Sequence, residues 1–141
     1  MKTVPLILLT LLIMGQLMSQ NADSTAVLQK CIDLEELQAF LPKEPNGAMK
    51  PVYLMSRDVV FPESMKIKKF EYPVIQMKRE QIVNLSIEAF FIFDVFHLTP
   101  GSANVSFGFV HGSPEDPHLI TANIELAKVG EHWEIVKSTI K

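Results

Sequence analysis

The stretch HGSPEDPH, from His111 to His118, places two imidazoles and two carboxylates, Glu115 and Asp116, within eight residues. Imidazole nitrogen and carboxylate oxygen are ligands of zinc. His111 continues the apolar parity of the run before it, SANVSFGFVH, and His118 shares the parity of Ile120 and Ala122 in the run after it. On two paired strands both rings would project to the same side of the sheet. His111 and His118, with Glu115 or Asp116, are therefore the candidate metal ligands. Two features weigh against them. The spacing fits no zinc signature, and Pro114 and Pro117 leave the segment little freedom to close around an ion. Ser113-Pro114-Glu115-Asp116 suits a type I turn with proline in second place. A polar hairpin connection accounts for the segment better than a metal site does, and no cofactor is assigned.

Asp94 interrupts AFFIFDVFHL, where its own parity carries Phe90, Ile92, Phe96 and Leu98. A carboxylate buried among aromatic rings has its pKa raised and can act as a general acid or base. Asp94 is thus the candidate catalytic residue, and Tyr53, Tyr72, His97 or His132 would have to supply its partners. The same parity carried back reaches Glu88, Ser86 and Asn84, which read as solvent-facing. The competing reading is an exposed carboxylate, or one neutralised by Lys128 or Lys137. Cys31 is the sole cysteine, so no internal disulfide can form. It sits on an apolar helical stripe without a basic neighbour in sequence, which describes a small buried hydrophobe rather than a nucleophile. There is no serine nucleophile elbow, no glycine-rich phosphate loop and no HExxH pair.

The elements that must position these residues begin with MKTVPLILLTLLIMGQLMSQ. Lys2 precedes an apolar run from Val4 to Met14. That run is shorter than the roughly 20 residues needed to cross a bilayer, and it suits the hydrophobic region of a signal peptide. Residues 1–19 are expected to be removed after Ser19, with Ala22 the next choice. The protein would be periplasmic in a Gram-negative bacterium and secreted otherwise, with no membrane span left after removal. Residues 20–141 then form a single domain. The chain carries 13 basic and 16 acidic residues, a net charge of −3, which gives no electrostatic footprint for nucleic acid. The basic cluster MKIKKF, with Lys66, Lys68 and Lys69, reads as a solvated strand face. Asn84 in NLS and Asn104 in NVS match the glycosylation acceptor pattern, which matters in a eukaryotic source.

Asp23 and Ser24 read as N-cap residues ahead of TAVLQKCIDLEELQAFLP. Val27, Leu28, Cys31, Ile32, Leu34, Leu37 and Leu41 recur there at helical spacing, with a break predicted near Ile32. Pro42 and Pro45-Asn46-Gly47 end the helix. Val52–Ser56 reads as a strand that Val59–Phe61 would continue, and Ile67–Met77 as a second extended stretch interrupted by Pro73, which belongs on an edge or at a bend. Lys78–Leu85 supports two periods: Ile82, Leu85 and Ala89 fit a short helix, while Val83, Leu85, Ile87 and Ala89 alternate as a strand does; one or two helical turns feeding a strand is the favoured reading. AFFIFDVFHL, SANVSFGFVH, LITANIELAK and HWEIVKSTI are joined by short turns and alternate as strands with one dry side. The fold class is α+β: an N-terminal helix packed on a curved antiparallel sheet that ends in a four-stranded meander.

The ending SANVSFGFV … ITANIELAKVGEHWEIVKSTI, about the last third of the chain, resembles the closing sheet of the cystatin-like and nuclear-transport-factor-two-like superfamily. The resemblance implies a helix lying in a curved antiparallel sheet. Ketosteroid isomerases and polyketide cyclases of that group resemble this chain only in the possibility of a carboxylate inside a cone-shaped pocket; none of their catalytic residues maps onto a position here. Their two or three leading helices are not evident, since Lys50–Met77 reads as β. One helix over a meander is closer to the cystatin-like arrangement. The inhibitory glutamine-valine-glycine loop of cystatins is absent, so protease inhibition is not implied. Fold does not settle function. The expected function is an exported, non-enzymatic binding or envelope-support module. Its ligand face is the concave side of the sheet, lined by Phe91, Phe93, Phe107, Phe109 and Trp133. Its partner would be an unknown protein, a small apolar ligand or a second copy of the chain. The alternative is a cofactor-free isomerase- or cyclase-like enzyme with Asp94 as base.

Overall fold

The computed structural model describes residues 21–141; the expected signal peptide, residues 1–19, lies outside the described residues. Residues 21–32 are helical and form α1. Asp23 and Ser24 therefore sit inside the helix rather than capping it. The predicted break occurs: Leu34 adopts φ −52° and ψ 128°, and a 3₁₀ helix, Glu35–Phe40, follows. The whole predicted stripe, from Val27 to Leu41, is buried.

The strands are β1 (Tyr53–Met55), β2 (Lys68–Lys69), β3 (Tyr72–Pro73), β4 (Ile75–Met77), β5 (Phe90–Leu98), β6 (Ser102–Ser113), β7 (Asp116–Val129) and β8 (His132–Ile140). A short helix, α2 (Arg79–Asn84), lies between β4 and β5. Six strands form one sheet in the order β4-β1-β5-β6-β7-β8. β5 to β8 are the antiparallel meander expected from their alternation. The sheet as a whole is mixed, not antiparallel, because β1 runs parallel to both β4 and β5. Parallel neighbours need long crossover connections. The segment between β1 and β4 is one, and α2, which carries the chain across β1 from β4 to β5, is the other. Ser86, at φ 51°, follows α2 and turns the chain toward β5.

α1 and the 3₁₀ helix cover one face of the meander. Phe91 and Phe93 of β5 pair across strands with Phe109 and Phe107 of β6, with ring centroids 4.7 and 4.9 Å apart. Phe61 closes the cluster edge-on against Phe93 and Phe96. Emptying such a site costs about 3–5 kcal/mol, because neighbours relax only partly into the cavity. In β5, Phe93 pairs with Phe107 and Val95 with Ser106, so Asp94 is an extra residue in a β-bulge. The bulge shifts the side-chain parity by one. Phe91 and Phe93 face the core before it, and Phe96 and Leu98 pack against the core after it.

Val59–Phe61 does not continue β1, and Ile67–Met77 is not a single extended segment, although Pro73 does lie on an edge strand, β3 of the two-stranded sheet. Lys69 pairs with Tyr72, and Phe70 and Glu71, at φ 52° and 69°, form the turn between them. The hairpin is held on α1 by the Gln29 amide, which donates to the Lys68 carbonyl at 2.9 Å. The basic cluster is correspondingly divided. Lys66 and Lys68 are exposed, whereas Lys69 is buried and pairs with Asp33 at 2.8 Å.

Candidate functional site

The five aromatic residues expected to line a ligand groove do not form one. Phe91, Phe93, Phe107, Phe109 and Trp133 are all at most 3 % exposed. The stripe of α1 lies against the face they share, and the same alternation that would make an apolar floor makes a core once a helix fills it. That face is occupied by the chain itself.

His111 and His118 are brought together as their parity implied. They are directly opposed on β6 and β7, with rings stacked 5.5 Å apart. The connection between the strands is the two-residue turn Pro114-Glu115, closed by the pair Ser113 and Asp116. Neither central residue has a positive φ, which excludes the primed and type II turns. Gly112 does, at φ +98°, and a Cβ there would lie 2.8 Å from the Asp116 carbonyl oxygen. His111 also stacks on Phe109 and packs against Phe40. Asp116 approaches His118 Nε2 at 3.4 Å. Among the described residues no group of three histidine, cysteine, aspartate or glutamate side chains is arranged to hold a metal ion. Desolvation, and secondly the neighbouring His118, lower the pKa of His111.

Asp94 is exposed, because the bulge releases it from the alternation. Its carboxylate is hydrogen-bonded to the guanidinium of Arg57, not to Lys128 or Lys137. Lys128 instead pairs with Asp23. The conditions for a perturbed general base, burial and an unpaired carboxylate, are not met at Asp94. His97, His132 and Tyr72 are also exposed. Burial pushes the Cys31 thiol up to about 12, which leaves no thiolate for chemistry near neutrality.

A cleft of about 640 Å³ lies on the other side of the sheet, within the roughly 300–1,000 Å³ typical of small-molecule sites. Phe90 and Ile92 of β5 and Val110 of β6 contribute the strand side, and Ile82 and Val83 of α2 the helical side. The tip of the β6–β7 hairpin contributes Pro114 and Pro117, and Met55, the last residue of β1, and Arg57 beyond it complete the lining. The cleft lies where α2, on the connection from β4 to β5, meets the outer face of β5 and β6. Val83 and Leu85 of this connection and Leu119 of β7 remain 60 % exposed or more. Three charged side chains line it: Arg57, Arg79 and Glu88. Arg57 is engaged by Asp94 and lies 3.5 Å from Asp58, and Glu88 is 3.4 Å from Lys50. Arg79 makes no ion pair among the described residues.

The signal for this site was present in FFIF, which is apolar at both parities. A strand with one wet side alternates; a strand apolar on both sides needs a cover on each. Asn104 lies exposed on β6 and Asn84 exposed at the end of α2. Among the described residues no helix is long and apolar enough to cross a membrane. Comparison with protein-family models, with curated proteins and with solved structures finds no match.

Proposed function

We propose that the protein is an exported, non-enzymatic binding module that takes a small apolar ligand in the cleft between α2 and the outer face of β5 and β6. The observation that carries this reading is the pairing of two opposite faces. One face of the meander is filled by α1, while the other keeps Phe90, Ile92 and Val110 beside an open volume of about 640 Å³. Exposed apolar groups in a concave setting are the usual mark of a binding surface. Export is supported by Lys2 and the apolar run from Val4 to Met14. The arrangement of one long helix over a meander supports a cystatin-like relationship at the level of fold, with β1 and β4 as additions on one edge.

Calorimetric titration with n-decanol, a neutral apolar probe, tests the proposal. Val83→Glu and Ile92→Asn place polar groups on the two walls, and Val83 is exposed, so its replacement leaves the core intact. Saturable binding that both variants weaken is the expected result. Absence of binding, or binding that neither variant alters, would overturn the proposal.

A further inference from the structure

The chain contains two arginines and eleven lysines, and its net charge is −3. Both arginines, Arg57 and Arg79, line the same cleft, and no lysine does. The planar guanidinium fork matches a carboxylate with two parallel hydrogen bonds, which an ammonium cannot do. Both cations that line the cleft are therefore of the type suited to an anionic head group.

The two arginines are not equivalent. Arg57 already has Asp94 and Asp58 beside it. The one acidic lining residue, Glu88, faces Lys50. Arg79 is exposed and has no carboxylate partner among the described residues. It stands on α2 three positions before Ile82, so a guanidinium and an apolar wall belong to one helical surface. An amphiphile can satisfy both at once.

We infer that the cleft takes a single-chain aliphatic carboxylate, with the tail against Phe90, Ile92 and Val110 and the carboxylate on Arg79. This rests on the binding role proposed for the cleft and adds the chemical class of the ligand. Recognition is divided. The apolar walls supply affinity through removal of hydrocarbon from water. Arg79 supplies discrimination between head groups, and at an exposed rim that discrimination is weakened by salt.

The test is calorimetric titration of the purified protein with decanoate, decylammonium and decyl phosphate, each below its micelle concentration, and with decanol below its solubility limit. Decanoate is expected to bind about two- to fivefold more tightly than decanol, the ratio that one exposed, salt-screened ion pair gives. Decylammonium is expected to bind more weakly than either. Arg79→Gln should bring decanoate and decanol to the same affinity, whereas Lys66→Gln, an exposed lysine that does not line the cleft, should keep the preference. Equal binding of decanoate and decanol by the unaltered protein would overturn the carboxylate assignment and leave the apolar site standing. A preference for decanoate that survives Arg79→Gln, or tighter binding of decyl phosphate, would also overturn it. No binding of decanol or decanoate would overturn the site itself.

Discussion

The indole N–H of Trp133 donates to Asp23 Oδ1 at 3.1 Å across 110 positions of the chain. Lys128 Nζ lies 3.0 Å from the same oxygen. These two contacts fasten α1 to β8 and β7, and they give Asp23 a role different from that of a helix cap. Trp133 is 3 % exposed, so losing the acceptor strands a buried donor, at a cost of about 1–3 kcal/mol. The pair with Lys128 is partly exposed and adds at most about 1 kcal/mol. Asp23→Ala is therefore expected to destabilise mainly through the indole, and Asp23→Asn less, since an amide oxygen still accepts. Trp133 is the only tryptophan, so urea unfolding followed by its fluorescence reads both variants. Equal stability of Asp23→Ala and the unaltered protein would show that α1 is not held at this point.

The turn of the β2–β3 hairpin places two side-chain-bearing residues, Phe70 and Glu71, at φ 52° and 69°. The left-handed region costs such a residue roughly 1–2 kcal/mol, while glycine enters it freely at an entropic cost of about 0.5–1 kcal/mol. Glu71→Gly, which gives the pattern preferred in two-residue hairpins, is expected to raise stability by about 0.5–1 kcal/mol. A lower urea midpoint for this variant at unchanged slope would contradict the assignment of strain to the turn.

His111 gives stability a pH dependence of definite sign. Desolvation and His118 lower its pKa in the fold from the ordinary value of 6.5. Above 6.5 the imidazole is neutral in both states and the contribution is fully present. As the pH falls below 6.5 the unfolded chain takes up a proton that the folded chain resists, and stability is lost. His111→Phe keeps the stacking against Phe40, Phe109 and His118 and removes this titration. Its stability between pH 7 and 5 is expected to fall less steeply than that of the unaltered protein. Parallel profiles in the two proteins would exclude His111 as the origin.

The parts of the fold legible in the sequence are those fixed by local alternation. The α1 stripe and the four meander strands each carry one period within a few residues, whereas the segment before β5 carries both and its helical turns are the ones that form. β1 and β4 are three residues each, too short for a period, and their parallel pairing is decided by contacts distant in sequence. The Asp94 bulge is invisible to parity counting, because counting assumes that parity is conserved along the strand. That assumption put Asp94 on one face with both Phe90 and Phe96, which lie on opposite faces. The burial of Lys69 depends on Asp33, 36 positions away. The aromatic residues of β5 and β6 were legible as an apolar face, but whether such a face is a core or a groove depends on what covers it. The outer cleft was legible only in the apolar residues at both parities of FFIF.

The most direct measurement is a titration of isotope-labelled protein with n-decanol followed by NMR chemical shifts, since it reports which side of the sheet a neutral apolar ligand occupies. The expected result is a saturable set of changes centred on the side chains of Ile92, Val110, Ile82 and Val83. Changes centred instead on Phe91, Phe107, Phe109 and the facing residues of α1, or no saturable change at all, would contradict the placement of the ligand in the outer cleft.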